Sequence, residues 1–246
     1  MPFFNEILWL LFIPLNFVSI TVIQYFFGER GLFGYMGIAV FLANIQTVKV
    51  VQIFGLTSVL GTVTYSTTFL ITDLLTEIRG KEEAKRAVLF GLACTIISTY
   101  VMYYSLLFIP YELGGHEALS TIFVFMPRIA VASVLAYLVS QLHDVWAFHF
   151  WKEKTKGKYL WLRNNLSTMV SQFVDTSVFC SVAFWGVMPQ EDLYQVIFTM
   201  YLFKLIIAIS DTPFVYLGTY IQRRRWYTAD SEEKGRNGET FDMGDP

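Results

Sequence analysis

The sequence is poor in charged residues, in cysteine and in histidine. Of its 246 residues, only 15% are Asp, Glu, Lys or Arg, whereas 54% are hydrophobic. Because about a quarter of a soluble domain is charged, this composition excludes an ordinary soluble protein and is typical of a membrane protein. Cys94 and Cys180 lie far apart, each in an apolar run, so we expect buried free thiols rather than a disulfide or a metal pair.

Sequence motifs of catalysis and metal binding are also missing. There is no Gly-rich phosphate loop, no Gly-x-Ser-x-Gly elbow and no zinc-binding spacing. His143 and His149 flank Asp144, but on a helix they would point to different faces. We therefore expect no metal, no cofactor and no enzymatic activity. An intramembrane hydrolase with paired acids is disfavoured because no nucleophile and base occur together.

The N-terminus lacks basic residues before its first apolar run, which argues against a signal peptide. Apolar runs long enough to cross a bilayer, which takes about 20 residues per helix, occur at 4–27, 33–55, 57–78, 87–110, 119–142, 165–187 and 194–220. We predict an all-α polytopic membrane protein. Residues 1–221 would form a single transmembrane domain, and residues 222–246 a disordered cytoplasmic tail.

Basic residues are confined to alternate breaks between these runs. Fifteen of the 18 Lys and Arg residues lie at position 30, in 79–86, in 143–163 or after 221, whereas the breaks at 55–57, 110–118 and 188–193 contain none. Because loops rich in Lys and Arg stay in the cytoplasm, the sequence predicts that the basic loops and the C-terminus are cytoplasmic. The N-terminus would then lie outside.

Charged residues inside the predicted spans are the main functional signal. They are Asp73, Asp175 and Asp211, with Glu77 at an inner edge, and Lys49, Arg128 and Lys204. A charge in hydrocarbon is costly unless it is paired or hydrated, so it marks a functional site by default. Asp73 and Glu77 are four residues apart and share a helix face, which continues back to Ser66 and Thr62. We interpret this face as part of a transport pathway.

Other predicted spans carry polar faces that would complete the pathway. They hold Asn44, Gln46, Lys49 and Gln52; Ser133, Tyr137, Ser140, Gln141 and Asp144; Asn164, Thr168, Ser171, Gln172 and Asp175; and Tyr201, Lys204, Ala208 and Asp211. The first predicted span has no charge between Glu6 and Glu29, so we expect it to be peripheral.

Structural roles stay open for several of these charges. Asp73 and Glu77 could pair with Arg79 or Arg86 at a cytoplasmic helix end. The remaining alternatives are a Lys204–Asp211 ion pair, a solvated helix cap at Asp144 and an Arg128 side chain that extends to the membrane surface.

The order of the polar residues resembles the queuosine precursor transporter family, also grouped as vitamin uptake transporters. The matching residues are Asn44; Asp73, Glu77, Gly80, Ala84 and Arg86; Arg128, Ser133, Ala136, Tyr137, Gln141 and Asp144; Ser167, Asp175, Thr176 and Lys204. The resemblance implies a prokaryotic inner-membrane importer with a six-helix core, to which this chain adds one N-terminal transmembrane helix. The implied substrate is 7-cyano-7-deazaguanine or 7-aminomethyl-7-deazaguanine, precursors of the tRNA nucleoside queuosine.

A deazaguanine presents a flat ring, two N–H donors on one edge and a carbonyl acceptor. A carboxylate can accept both donors, an amide can donate and accept, and Lys or Arg can donate to the carbonyl. The predicted substrate-binding residues are Asn44, Asp73, Glu77, Arg128, Tyr137, Gln141, Gln172, Asp175 and Lys204. Asp73 and Asp175 would hold the donor edge, Lys204 and Arg128 would balance their charge, and Tyr137 and Tyr201 are the candidates for stacking.

Two modes of action fit these expectations. The chain could be a secondary or facilitative importer, in which a buried acid could take up a proton and permit coupling. Alternatively, it could be the substrate-capturing membrane subunit of a larger energised complex, since it has no nucleotide-binding domain. The expected partners are a small-molecule deazapurine and the lipid bilayer, without nucleic acid. Small residues at helix faces (Ala39 and Ala43, Ser58 and Thr62) leave a homodimer open.

Overall fold

The computed structural model describes residues 3–46, 49–123, 127–186 and 189–237. Its helices are α1 (Phe4–Gln46), α2 (Gly61–Arg79), α3 (Lys81–Ser105), α4 (Leu113–Phe123), α5 (Pro127–Lys154), α6 (Leu160–Phe184) and α7 (Gln190–Asn237). Two short strands, β1 (Val50–Ile53) and β2 (Leu56–Val59), lie between α1 and α2.

Helix α1 folds back on itself at Gly28, whose φ of 64° and ψ of −144° are not helical. Asn5 Nδ2 donates to the backbone carbonyl of Gln52 (3.2 Å), so the start of α1 meets the segment that follows its end. Close to the turn, a β carbon at Gly31 would lie 2.8 Å from the Ile23 carbonyl oxygen. Glycine is therefore required at position 28 for its backbone freedom and at position 31 for its small size. The break expected at 28–31 is the turn between two antiparallel halves.

The second predicted span, 33–55, extends too far as a helix. After Gln46 the chain forms an antiparallel hairpin in which Val51 lies opposite Ser58 and Ile53 opposite Leu56. β-branched residues favour strands, and Phe54 and Gly55 take the positive φ values (52° and 72°) that suit a two-residue hairpin turn. Lys49 precedes β1 and is exposed. Its placement inside a span was wrong.

Helix α2 is the centre of the bundle. Every residue from Gly61 to Thr76 except Tyr65 is buried, because α1, α3, α5 and α7 all pack against this helix. Its hydroxyl groups donate to carbonyl oxygens of the preceding turn, as in Ser66 to Thr62 (2.9 Å) and Thr76 to Thr72 (2.7 Å). A helix shielded from lipid in this way can carry polar residues through a membrane protein.

Among the described residues, four helical stretches are long and apolar enough to cross a membrane: Phe4–Gln46, Lys81–Ser105, Val131–Lys154 and Val196–Arg224. Helix α3 has an exposed apolar surface, on which Ile97 and Tyr100 expose 60% and 66% of their area. Contact with lipid makes such a surface stable without further burial. The bundle is thus that of an all-α, multi-pass membrane protein. The short helix α4 buries no residue and is peripheral.

Several helix ends differ from those expected. The run predicted at 119–142 covers the end of α4 and only part of α5, which continues to Lys154 through most of the expected loop 143–163. Helix α7 continues to Asn237, so residues 222–237 are helical although disorder was expected; residues 238–246 lie outside the described part of the chain. Hydropathy marks where a chain leaves the apolar layer, whereas Lys, Arg and Glu sustain helices beyond it.

The polar ends of several helices meet at one end of the bundle. Arg79 Nε lies 2.7 Å from Glu29 Oε1 at the α1 turn, and Gln222 of α7 donates to the same oxygen (3.3 Å). Lys152 Nζ of α5 lies 3.4 Å from Glu77 Oε2. We call this the basic end. The β-hairpin lies at the other end of α2, whose 19 residues span about 28 Å.

Candidate functional site

Polar side chains of α2, α5, α6 and α7 form three layers along the bundle. From the hairpin end towards the basic end these are the ion-pair layer (Tyr65, Ser140, Asp175 and Lys204), the amide layer (Thr68, Gln141 and Gln172) and the acid layer (Asp73, Asp144, Asn164, Thr168 and Asp211). The order is the same on every helix. Along α6 it runs in reverse residue order, because α6 is antiparallel to the other three.

In the ion-pair layer, Lys204 Nζ of α7 pairs with Asp175 Oδ2 of α6, and both side chains are buried. Asp175 Oδ1 also accepts hydrogen bonds from the Tyr65 hydroxyl (2.5 Å) and from Ser140 Oγ (2.9 Å). Lys204 Nζ lies 5.2 Å from the centre of the Tyr65 ring, in cation–π contact. A buried ion pair is tolerated when further hydrogen bonds complete it, and this one joins four helices.

A cavity of about 70 Å³ opens beside this ion pair. Its walls combine small residues, aromatic rings and polar groups, among them Ala43, Asn44, Gly61, Tyr65, Ala136, Asp175, Phe179 and Lys204. Sites for drug-sized ligands usually enclose about 300–1,000 Å³. A bicyclic ligand would therefore require the lining side chains to move apart.

The amide layer contains hydrogen-bonding atoms without protein partners. Gln141 Nε2 donates to Thr68 Oγ1 (2.6 Å), but Gln141 Oε1 and both amide atoms of Gln172 have no partner among the described residues. Both glutamines are fully buried. An unpaired buried polar atom costs about 1–3 kcal/mol, so these amides offer donors and an acceptor to a ligand or to water.

In the acid layer three buried carboxyl groups come from three helices. Asp73 Oδ2 accepts from Thr168 Oγ1 (3.0 Å), Asp144 Oδ2 from Thr72 Oγ1 (3.4 Å) and Asp211 Oδ1 from Asn164 Nδ2 (2.7 Å). Asp144 reaches the turn of α2 that carries Asp73, and each of these two carboxyl groups has an Oδ1 atom without a partner among the described residues. The ion pairs found in the described part of the chain involve none of these acids.

The predicted site residues divide between these layers. Asn44 lines the cavity, Asp175 and Lys204 form the ion pair, and Gln141 and Gln172 form the amide layer. Asp73 and Asp175 were expected to act together, but Thr168, the α6 partner of Asp73, is about 10 Å along the helix from Asp175. The alternative pairing of Lys204 with Asp211 is wrong, because Lys204 pairs with Asp175.

Glu77 lies away from the cavity, at the basic end. Its partner is Lys152, whereas Arg79 pairs with Glu29 and Arg86 with Glu83. The expected partner of Glu77 was Arg79 or Arg86; the ion pair in the structure is with Lys152 of α5. Asp144 is fully buried, so it is not a solvated cap. The side chain of Arg128 lies outside the described part of the structure.

The two tyrosines proposed for stacking lie outside the cavity wall. Tyr137 donates to Met36 Sδ (3.2 Å), and its hydroxyl fills the space that a side chain at Gly91 would need. Tyr201 packs edge-on against Phe173, at 5.4 Å between ring centres. The rings that do line the cavity are those of Tyr65 and Phe179. Tyr65 lies two helical turns before Asp73 and so shares its helix face, but with 17% aromatic residues in the sequence this spacing did not single it out.

Comparison with known proteins identifies the family of this bundle. Residues 59–218 match the family model described as "Putative vitamin uptake transporter". This stretch contains all three polar layers. The chain belongs to the vitamin uptake transporter family. No solved structure matches it.

Curated relatives of the chain extend the comparison. A protein of Bacillus subtilis (strain 168) named "Probable queuosine precursor transporter" is 39% identical over 215 residues, which are 87% of this chain and 94% of the relative. The "Queuosine precursor transporter" of Escherichia coli (strain K12) is 30% identical over 162 residues, 65% of this chain and 71% of the relative. A protein of Haemophilus influenzae that is also named "Probable queuosine precursor transporter" is 36% identical over 159 residues, which are 63% of this chain and 66% of the relative.

Proposed function

We propose that this chain is an importer of a queuosine precursor, 7-cyano-7-deazaguanine or 7-aminomethyl-7-deazaguanine, in the prokaryotic inner membrane. It acts as a secondary or facilitative carrier and not as an enzyme. The names of the relatives from B. subtilis and E. coli support the substrate class. The observation that carries the proposal is the buried Asp175–Lys204 pair at the wall of a cavity between helices.

The charges of this pair complement the edge of a deazaguanine. Asp175 accepts the ring N–H and the 2-amino group, and Lys204 donates to the neighbouring carbonyl oxygen. Substrate enters by separating the two side chains. Asp175 and Lys204 then each exchange the other for a polar group of the substrate, so each keeps a hydrogen bond to its charged group. Both charges stay compensated, which limits the cost of opening a buried pair.

Neighbouring groups complete the recognition. Tyr65 and Phe179 line the cavity and present ring faces or edges to a flat ligand. The amides of Gln172 and Gln141 take the remaining polar atoms of the ligand, because they hold the unpaired donors and acceptors nearest to the ion pair. Asn44, from the second half of α1, contributes a further amide on the opposite wall.

The orientation follows from the basic residues. The basic end, with Arg79 and Lys152, faces the cytoplasm, and the hairpin and the N-terminus face outside. The ion-pair layer then lies on the outer side of the acid layer. Substrate passes from the cavity through the amide layer towards the basic end.

Uptake of labelled 7-cyano-7-deazaguanine into liposomes that contain only the purified chain tests this function. We expect saturable uptake of chemically unchanged substrate. Asp175→Asn replaces one of the two acceptor oxygens by a donor and removes the charge, so it should abolish uptake, whereas Glu117→Gln, which changes an exposed carboxyl group on α4, should not alter it.

The stability of the variants must be separated from their transport. The double variant Asp175→Asn/Lys204→Met removes both charges at once and so avoids an isolated buried ion; it should fold and fail to bind. Wild-type uptake by Asp175→Asn would refute the site. Binding without uptake by the wild-type chain would favour the substrate-capturing subunit of an energised complex instead.

A further inference from the structure

The acid layer has a chemistry that substrate recognition does not explain. Asp73, Asp144 and Asp211 are all at most 1% exposed, and the bases of the described chain are engaged elsewhere: Lys204 with Asp175 and Lys152 with Glu77. Three carboxylates side by side in a membrane interior are costly without compensation. Binding a proton lowers this cost, because it removes one of the three charges.

Geometry places the proton between two of the acids. Asp144 Oδ2 lies 3.4 Å from the hydroxyl of Thr72, the residue before Asp73, and two neighbouring buried carboxylates repel each other unless one of them is protonated. The Oδ2 atoms accept from Thr168 and Thr72, whereas the Oδ1 atoms have no hydroxyl or amide donor among the described residues. The pair thus offers a free oxygen on each side for a proton.

Unpaired neutral groups in the acid layer and in the neighbouring amide layer are a second, independent sign of a missing ligand. Asn164 donates to Asp211 through Nδ2, but its Oδ1 accepts nothing within the described structure. Gln172, one turn from Thr168 on α6, has no partner for either amide atom. All of these side chains are fully buried. Such acceptors are satisfied when protons or water move through the layer.

A partly exposed histidine lies near the pair. His143 precedes Asp144 on α5, and its Nδ1 lies 2.8 Å from Ser171 Oγ, one turn of α6 from Thr168, which donates to Asp73. Imidazole and hydroxyl groups in such positions can take part in proton transfer. The described groups of the layer do not form a metal-ligand cluster.

The other ionisable groups around the pair are few. Helix α7 contributes Asp211 and α5 contributes His143, while the described α6 side chains that face it are hydroxyls and amides. Towards the basic end, Glu77 of α2 is paired with Lys152. A change of protonation in this layer is therefore a change at the three aspartates.

We propose that Asp73 and Asp144 bind one transported proton between them and that its release towards the cytoplasm couples substrate import to the proton gradient. The coupling rests on the proposed function; the proton site does not. The protonated pair holds α2 and α5 together. Loss of the proton leaves two facing carboxylates whose repulsion separates these helices beneath the substrate.

Infrared difference spectroscopy of the chain in lipid tests the proton site without any substrate. We expect a carbonyl stretching band of a protonated carboxyl group at neutral pH that shifts in deuterium oxide. Asp73→Asn and Asp144→Asn should each remove it, and Glu117→Gln should retain it. Absence of the band from the folded wild-type chain, or its persistence in both aspartate variants, would overturn the proposal.

Transport in liposomes tests the coupling. With one proton per substrate, a gradient of one pH unit supports up to about tenfold accumulation, and Asp144→Asn should lose this response while it still binds substrate. Uptake that ignores the pH gradient, or that responds only to sodium, would refute coupling. If the wild-type chain neither binds nor transports, the proposed function fails, and the infrared band still decides whether the proton site exists.

Discussion

The ion-pair layer and the acid layer lie on the same four helices, about two turns apart, yet they solve the problem of a buried acid differently. Asp175 has a lysine, a tyrosine and a serine as partners, whereas the described hydrogen-bond donor of the Asp73 carboxyl group is a threonine. Both acids are almost completely buried. Burial alone therefore does not determine the state of a membrane carboxyl group; the donors around it do.

Breaking the ion pair should have the largest effect on stability. Lys204→Met leaves Asp175 as an isolated buried charge, and removal of one partner of a buried pair costs about 3–5 kcal/mol. Unfolding of the purified chain in lipid nanodiscs, compared with wild type, measures the loss. Adding Asp175→Asn should restore most of the stability, because the double variant leaves no charge unpaired. A loss as large in the double variant as in Lys204→Met would contradict this.

Removing one hydrogen bond from the same layer should have a smaller effect. Tyr65→Phe keeps the ring over Lys204 but deletes the 2.5 Å bond to Asp175. Hydrogen bonds to charged groups contribute about 1.5–3 kcal/mol, so we expect a loss in that range in the same unfolding assay. Tyr137→Phe is the matched control, since it removes only a weak bond to a sulfur atom. Equal losses in the two variants would argue against a special role for Tyr65.

In the acid layer, a neutral replacement should hardly change stability. Asn at position 144 can donate a hydrogen bond as a protonated carboxyl group does, so Asp144→Asn should alter the unfolding free energy by no more than about 1 kcal/mol. The contrast with Lys204→Met sharpens the comparison of the two layers. A loss of several kcal/mol would mean that Asp144 is ionised and held by a cation.

An exposed ion pair at the basic end should matter least. Arg79→Gln breaks the contact with Glu29, but the arginine is about half exposed, and such pairs contribute about 0–1 kcal/mol. High salt should remove even this difference, because it screens exposed charges. A salt-independent loss would show that the pair holds the Gly28 turn in place.

The sequence predicted features that depend on neighbouring residues along the chain. The break at Gly28, the alternation of basic segments and the polar faces of α5, α6 and α7 are all visible in local patterns. The same local patterns gave a wrong prediction where an apolar segment could form either a helix or a strand. Residues 50–59 are apolar enough for a helix, yet they form a hairpin because β-branched residues and a positive-φ turn favour strands.

The candidate site could be predicted only as a set of residues. Asn44, Gln141, Gln172, Asp175 and Lys204 stand out in the sequence because polar groups in apolar spans are conspicuous, and their role in binding substrate stays a prediction. Their partners could not be predicted, since pairing depends on how helices pack and not on spacing within one helix. Tyr65 was missed for this reason, and Asp73 was placed beside Asp175.

By itself, the sequence determined that this chain crosses a membrane and which residues are too polar for lipid, because hydrophobicity and charge are properties of the residues themselves. The tertiary structure decided which acid receives the one buried lysine of the ion-pair layer. By spacing alone, Lys204 could pair with Asp211 on its own helix α7 or with Asp175 on the neighbouring helix α6. The packing of α6 against α7 selects Asp175. That choice leaves Asp73, Asp144 and Asp211 without a lysine partner among the described residues, and it separates the ion-pair layer from the acid layer.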